Sequence, residues 1–232
     1  MKDFFKSSGS LKVDITFIII TLIPFVFCFF ADDVGNALSL YATIFGLMQA
    51  AVIMIGRRES WIFYVGYTVA YTIMSIYFAL WGDVIENGIY IIFGIIGLFL
   101  WYTKDQSKIR IRFLTNKQRV LFLLLMSIVA SIVIAFLYKT NDPQPFLDGL
   151  TTGMGFVATI LMTMKRVEAW VVWFVDDVLM VVTYWLIPEQ PWAVMILNAI
   201  WALFAIGSLV VWYKMARDKV EVDELRGLAR GV

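Results

Sequence analysis

Apolar runs long enough to cross a lipid bilayer recur along almost the whole chain. A membrane-spanning helix needs about 20 predominantly apolar residues. Of the 232 residues, 61% are hydrophobic and only 16% are charged. We therefore predict an all-α, polytopic membrane protein with eight transmembrane helices. The predicted spans are residues 13–31, 37–56, 60–81, 84–102, 118–138, 146–164, 168–187 and 191–213.

The basic residues fall on one side of the membrane when the chain is threaded through eight spans. All Lys and Arg residues except Lys139 then lie on the side of the N-terminus, whereas the opposite loops are acidic or turn-rich. Cytoplasmic loops carry the excess of Lys and Arg, so both termini are predicted to be cytoplasmic. We interpret the polar segment after Lys219 as a frayed chain end, with a docked cytoplasmic helix as the alternative.

The chain also contains an internal repeat. The segment that begins at Arg57 resembles the one that begins at Lys165, since in each a basic stretch is followed by an acid and then Trp. Spans 2–4 and 6–8 are therefore predicted to form two three-helix repeats, which point the same way because they are four spans apart. The fifth span joins them and the first is an extra helix. Five positions share one spacing in the two final helices: Asn87, Tyr90, Gly94, Gly97 and Trp101 match Asn198, Trp201, Ala205, Ser208 and Trp212.

This repeat predicts the division of the chain and the place of a ligand. Transporters built from repeats bind their substrates at the repeat interface, near the middle of the membrane. The predicted divisions are 1–36 (N-terminal cytoplasmic segment and extra helix), 37–102 (first repeat), 103–145 (cytoplasmic loop and linker helix), 146–214 (second repeat) and 215–232 (cytoplasmic tail).

The seventh span carries two carboxylates, Asp176 and Asp177, within an apolar stretch. At about 100° per residue, Trp170, Trp173, Asp177 and Tyr184 fall on one face of a helix. An ionisable group at membrane depth faces a partner or a water-filled cavity. Because aromatic rings beside a carboxylate suit a flat cationic molecule, this face is the predicted substrate site. Asp176 lies at its edge, and its role stays open.

Polar and aromatic residues in other spans extend this site. The amides of Asn198, Asn87 and Gln49 are predicted to bond the substrate, with Tyr90 and Trp201 as aromatic neighbours. The alternative for Asp177 and Asn198 is a hydrogen bond that holds two helices together. The alternative for Trp170 and Tyr184 is an interfacial aromatic belt.

The composition weighs against several other functions. The chain has no histidine and one cysteine, Cys28 in an apolar run, which disfavours catalytic metal and nucleophile sets. No enzyme activity, cofactor, metal site, catalytic residue or nucleic-acid partner is predicted. No lysine lies inside a span, so a Schiff-base photosensor is disfavoured. A channel or a proton-coupled carrier that uses Asp176 or Asp177 is the remaining alternative to a uniporter.

The motif Trp170-x-x-Trp173-x-x-x-Asp177, followed by Tyr184, resembles the hallmark helix of the PnuC nicotinamide riboside transporters. The stretch from 81 to 102, with Asn87-x-x-Tyr90, is also similar to that family. The resemblance implies a bacterial inner-membrane vitamin transporter with a 3-1-3 core like that of the SWEET sugar transporters. It also implies a homotrimer among membrane lipids, facilitated diffusion, and trapping of the substrate by a cytosolic kinase. Relatives that carry thiamine or riboflavin leave the identity of the vitamin open.

Overall fold

The computed structural model describes residues 11–77, 81–101, 110–140, 144–186 and 192–229. Within these residues the chain forms eight α-helices, whose centres coincide with the eight predicted apolar runs. They are α1 (Leu11–Cys28), α2 (Val34–Met54), α3 (Ser60–Tyr77), α4 (Trp81–Leu100), α5 (Asn116–Leu137), α6 (Pro145–Thr163), α7 (Ala169–Trp185) and α8 (Trp192–Ala229).

Four of the helices are long and apolar enough to cross a membrane: α2, α5, α6 and the Met195–Asp218 part of α8. Shorter apolar stretches lie in α1, at Ile18–Cys28, and in α4, at Glu86–Leu100. These findings confirm the prediction of an all-α protein with several membrane-spanning helices. The count of eight crossings and the orientation of the termini stay predictions.

The chain divides into two compact units, Met1–Ile109 and Arg110–Val232. In the first unit α3 packs against both α2 and α4, and α1 packs against α2 and α3. In the second unit α7 packs against both α6 and α8, and α5 packs against α6. The middle helix of each predicted repeat thus contacts the other two helices of its own repeat.

The last helix is longer than the sequence predicted. α8 runs without interruption to Ala229, so the interpretation of the segment after Lys219 as a frayed end was wrong, and the helix does not end at residue 213. The charges that begin at Lys214 mark the expected edge of the membrane, but charge alone does not stop a helix. No Gly or Pro occurs between 214 and 226, and these are the residues that end helices.

The same backbone turn joins the first two helices of each predicted repeat. After α2, the N–H of Gly56 donates to the Ile53 carbonyl at 2.8 Å and that of Arg57 donates to the Val52 carbonyl at 3.3 Å. After α6, the N–H of Lys165 donates to the Met162 carbonyl at 3.0 Å and that of Arg166 donates to the Leu161 carbonyl at 2.9 Å. Gly56 and Lys165 have φ angles of 71° and 61°. Both turns are therefore Schellman motifs, which end a helix with one residue in the left-handed region.

Candidate functional site

Helix α7 has two chemically different faces. Its exposed face consists of apolar side chains that are 41–54% exposed: Val171, Val175, Val178, Val182 and Trp185. The opposite face buries Trp170, Asp176 and Asp177 inside the second unit. A helix of this kind turns its apolar stripe to the lipid and its polar groups to the protein interior. The prediction that Asp177 faces inward is therefore confirmed, and Asp176 is buried as well.

Asp177 is the most isolated polar group on this face. Its side chain is only 4% exposed. Across the described residues, no group donates a hydrogen bond to it and no cation pairs with it. A carboxylate that held two helices together would receive a donor from one of them, so the described contacts give no support to the structural alternative. Asp176 is also buried, at 6% exposure, although the sequence placed it at the edge of the site.

The aromatic residues of α7 differ in their packing. Trp170 is 5% exposed, and its ring meets the ring of Trp212 edge to face at 5.2 Å between centroids. Trp173 and Tyr184 are half-buried. The burial of Trp170 against α8 argues against its alternative as an interfacial belt residue. Its contact with a substrate stays a prediction.

Helix α8 presents small and polar side chains to the interior of the second unit. Asn198 is 5% exposed, and Ala205 and Ser208 are buried further along the same face. Trp201 is half-buried, and its indole N–H is buried without a hydrogen-bond acceptor among the described residues. The small-residue positions predicted from the repeat therefore do line the packed face of α8.

The other predicted site residues lie in the first unit. Gln49 on α2 and Asn87 on α4 are both 8% exposed. The hydroxyl of Tyr90 donates to Glu86 Oε1 at 2.8 Å. Thr68 occupies the position of Asp177, seven residues after the first Trp of α3, and its hydroxyl donates to the Tyr64 carbonyl of its own helix at 2.8 Å. The first unit thus has a neutral, internally bonded side chain where the second has a buried acid.

The first unit repeats the tryptophan pairing of the second. The rings of Trp61 and Trp101 meet edge to face at 5.9 Å, and both side chains are fully buried. Gly97 lies directly against the Trp61 ring, so that a Cβ there would collide with it, and a Cβ on Gly94 would come within 3 Å of both Val65 and Tyr64. The prediction that small residues allow close helix approach is confirmed at both positions.

Glu168 is a residue that the sequence did not mark as part of any site. Both of its carboxylate oxygens accept the Leu114 N–H at 3.0 Å, and Oε1 also accepts from Arg119 Nη2 at 2.9 Å. The N–H of Arg112 donates to the Lys165 carbonyl, and the Arg112 carbonyl accepts from the Val167 N–H, both at 3.1 Å. These contacts fasten the start of α7 to the start of α5. Because the partners are about 50 residues apart in sequence, no local pattern signals them.

The fold and the apolar helices define a multi-pass helical membrane protein. The profile of the family described as "Nicotinamide mononucleotide transporter" matches residues 36–214. The match covers most of the chain, and the chain therefore belongs to this family, whose members are transporters rather than enzymes. The match begins after α1 and ends inside α8.

Two known proteins are similar to this chain. The nicotinamide riboside transporter PnuC of Neisseria mucosa is 23% identical over 158 residues, which cover 65% of this chain and 60% of that protein. The chain thus aligns with about three fifths of the length of this relative. A crystal structure of the vitamin B3 transporter PnuC has a TM-score of 0.65 at 20% identity, over 88% of this chain and 90% of that one. At this identity the likeness shows the fold alone.

Proposed function

We propose that this protein carries nicotinamide riboside across the membrane by facilitated diffusion. The observation that carries the proposal is Asp177, a carboxylate buried in a membrane-spanning helix that no described cation neutralises. The positive charge of a pyridinium ring would neutralise this carboxylate, and its flat shape would suit the aromatic side chains nearby. The family membership and the substrate in the name of the Neisseria relative support the same assignment.

The charge of the α7–α8 face favours the riboside over its phosphorylated form. Neither α7 nor α8 carries a Lys or Arg before Lys214, so no basic side chain from these helices meets a phosphate at membrane depth. Asp176 and Asp177 would repel a phosphate dianion instead. The nucleoside, which keeps the cationic ring and loses the phosphate, suits this face better.

The remaining side chains of the proposed site provide stacking and hydrogen bonds. Trp173 and Tyr184 would stack on the ring, and Asn198 would bond the carboxamide or a ribose hydroxyl. We include Trp170 and Trp201 as aromatic neighbours. Asn87 and Tyr90 are included because they occupy, in the first predicted repeat, the positions of Asn198 and Trp201. Gln49 is included as a buried polar side chain within α2, where its counterpart in the second predicted repeat is Ala158.

Several larger features belong to the same proposal. They are two parallel three-helix repeats in a 3-1-3, SWEET-like arrangement, eight spans with cytoplasmic termini, a homotrimer, the bacterial inner membrane and trapping by a cytosolic kinase. The matched Schellman turns and tryptophan pairs support the repeats, and the one-sided distribution of basic residues supports the topology. A reporter fused after Arg230 that is active only in the periplasm would contradict the topology.

Uptake of labelled nicotinamide riboside into cells that lack their own transporter tests the proposed function. Unlabelled nicotinamide riboside is expected to compete, whereas nicotinamide mononucleotide, thiamine and riboflavin are expected to compete weakly. Stronger competition by thiamine or riboflavin would assign the chain to a different vitamin. Loss of accumulation on collapse of the proton gradient, with binding unchanged, would favour the proton-coupled carrier.

Trp173→Ala tests the stacking role within this site. Removal of a stacked ring is expected to weaken nicotinamide riboside binding by about 1 kcal/mol or more, which is about fivefold or more in Kd. Titration of purified protein measures this change. Trp185→Ala is a matched control, because Trp185 is 54% exposed at the end of the same helix. Wild-type affinity of a folded Trp173→Ala variant would remove Trp173 from the site.

A further inference from the structure

The indole N–H of Trp201 is a buried donor with no acceptor among the described residues. Such a donor is unfavourable in a folded protein, because it has lost its hydrogen bond to water and gained none in return. Tyr90 occupies the position of Trp201 in the first predicted repeat, and its hydroxyl donates to Glu86 Oε1 at 2.8 Å. The polar group at this position is therefore satisfied in the first unit and unsatisfied in the second.

Two other indole N–H groups, those of Trp61 and Trp170, are also buried without an acceptor in the described part of the chain. They occupy matching positions in the two predicted repeats, and each ring packs edge to face on a second tryptophan. No described aromatic ring contacts Trp201 in this way. Packing on another ring accounts for the first two groups, whereas a ligand that brings an acceptor would account for Trp201.

The ring contact between Trp170 and Trp212 sets the relative depth of α7 and α8. The two helices run antiparallel, because the start of α7 meets the later part of α8 and a short connection joins Trp185 to Trp192. Asp177 lies seven residues after Trp170, and Trp201 lies eleven residues before Trp212. At 1.5 Å per residue, Trp201 is therefore about 6 Å farther along the helix axis than Asp177.

Asp177 and Trp201 lie on the faces through which the two helices meet. Asp177 shares a face of α7 with Trp170, and Trp201 shares a face of α8 with Trp212. Ala205 is level with Asp177, because it lies seven residues before Trp212. The two packed helices thus present a buried acid and, one helical turn farther along, a buried donor, and neither group has a described partner.

We propose that the indole N–H of Trp201 binds the carboxamide oxygen of the substrate while Asp177 neutralises the pyridinium ring. This inference rests on the proposed function and extends it from the charge of the ring to its substituent. The carboxamide of nicotinamide is attached directly to the ring, so its oxygen lies about one ring's width from the charged nitrogen. This separation agrees with the axial offset between Asp177 and Trp201. The carboxamide would then point toward the start of α8.

The same arrangement selects a carboxamide over a carboxylate at that position of the ring. A carboxylate would also accept from Trp201, but it would place a negative charge near Asp177 in a site of low dielectric constant. The wild type is therefore expected to bind nicotinamide riboside at least about tenfold more tightly than nicotinic acid riboside. Asp177→Asn should narrow this ratio, because it removes the repulsion. Equal affinities of the wild type for these two ribosides would overturn the inference.

Calorimetric titration of purified protein with nicotinamide riboside and with the riboside of unsubstituted pyridine tests the Trp201 contact. Trp201→Phe keeps an aromatic ring and removes the N–H, so it should weaken nicotinamide riboside about fivefold in Kd. It should leave the pyridine riboside unchanged, because that ligand has no carboxamide. Trp61→Phe is the matched control, since it removes a buried N–H from the first unit and should leave both affinities unchanged.

The wild type alone provides a measurement that does not depend on the folding of a variant. It should bind the pyridine riboside at least about fivefold more weakly than nicotinamide riboside. Equal affinities of the wild type for these two ligands would overturn the inference, as would equal losses for both ligands in a folded Trp201→Phe variant. In either case nicotinamide riboside would still bind, so the proposed function would stand. Failure of the wild type to bind nicotinamide riboside would overturn the proposed function, and this inference with it.

Discussion

The turn between α2 and α3 and the turn between α6 and α7 have the same backbone but different side-chain partners. In the first turn Glu59 pairs with Arg57, two residues away and fully within the turn. In the second turn Glu168 reaches Leu114 and Arg119 at the start of α5. The comparison teaches that the backbone hydrogen bonds set the shape of both turns, whereas the side chains at matching positions make different contacts.

The helices that follow the two turns also carry different side chains at matching positions. Asp177 in α7 is buried without a described donor, whereas Thr68 in α3 bonds to its own helix. Ser208 in α8 occupies the position that Gly97 has in α4, and Gly97 lies against the Trp61 ring. The second unit thus has a buried acid at this position, whereas the first has a neutral side chain there and a glycine that lies against a tryptophan ring.

The largest expected effect concerns the two glutamates. Glu59→Gln would leave the buried Arg57 guanidinium without its carboxylate and should lower the free energy of unfolding by about 3–5 kcal/mol. Glu168→Gln should lower it by only about 1 kcal/mol, because the Arg119 side chain is 49% exposed and solvent weakens the pair. Unfolding by SDS in mixed micelles measures both. Equal losses of unfolding free energy in the two variants would show that the burial of the ion pair does not set its contribution to stability.

The next effect concerns the charge in α7. Asp177→Asn should weaken nicotinamide riboside by about 1–3 kcal/mol, or about ten- to hundredfold in Kd, because the amide keeps the size and removes the charge. The uncharged dihydropyridine analogue should lose much less. Thr68→Val is the control in the other repeat and should leave both affinities nearly unchanged. Paired titrations measure these values, and equal losses for the two ligands would refute the counter-ion role.

A similar effect on stability is expected at the tryptophan contact of α4. Gly97→Ala should lower the free energy of unfolding by about 1–3 kcal/mol, since the new Cβ would collide with the Trp61 ring. Gly88→Ala is the matched control in the same helix, because a Cβ there meets nothing within 4 Å. It should stabilise the protein by up to about 1 kcal/mol through helix propensity. A neutral Gly97→Ala would mean that the tryptophan can move aside.

The smallest expected effect concerns Gly56 and Lys165, the residues with a positive φ angle in the two turns. Lys165→Gly should stabilise the second unit by about 1 kcal/mol, because glycine adopts a positive φ without steric strain. Burial also lowers the pKa of the Lys165 ammonium, so the substitution removes a partly desolvated charge. Gly56→Ala should destabilise the first turn by a similar amount. Thermal unfolding in detergent measures both, and a destabilised Lys165→Gly would reveal a stabilising contact of the lysine side chain.

Much of the fold could be predicted because its signals are local. Apolar length located the helices, and the inward direction of Asp177 followed from the unfavourable energy of a carboxylate in lipid. The small residues at Gly94 and Gly97 were found from their spacing. The end of α8 was missed because the boundary of an apolar run marks the membrane edge and not the end of the helix.

The sequence by itself determined the membrane class and the positions of the helices, since both depend on composition and on the length of apolar runs. It also supplied the prediction of a repeat and of the site residues, which depends on spacing within single helices. Only the tertiary structure decided that Trp170 packs on Trp212 and that Glu168 fastens two helix starts. These contacts join residues far apart in the chain. Side-chain packing across such distances depends on how whole helices approach one another, and no local pattern records that geometry.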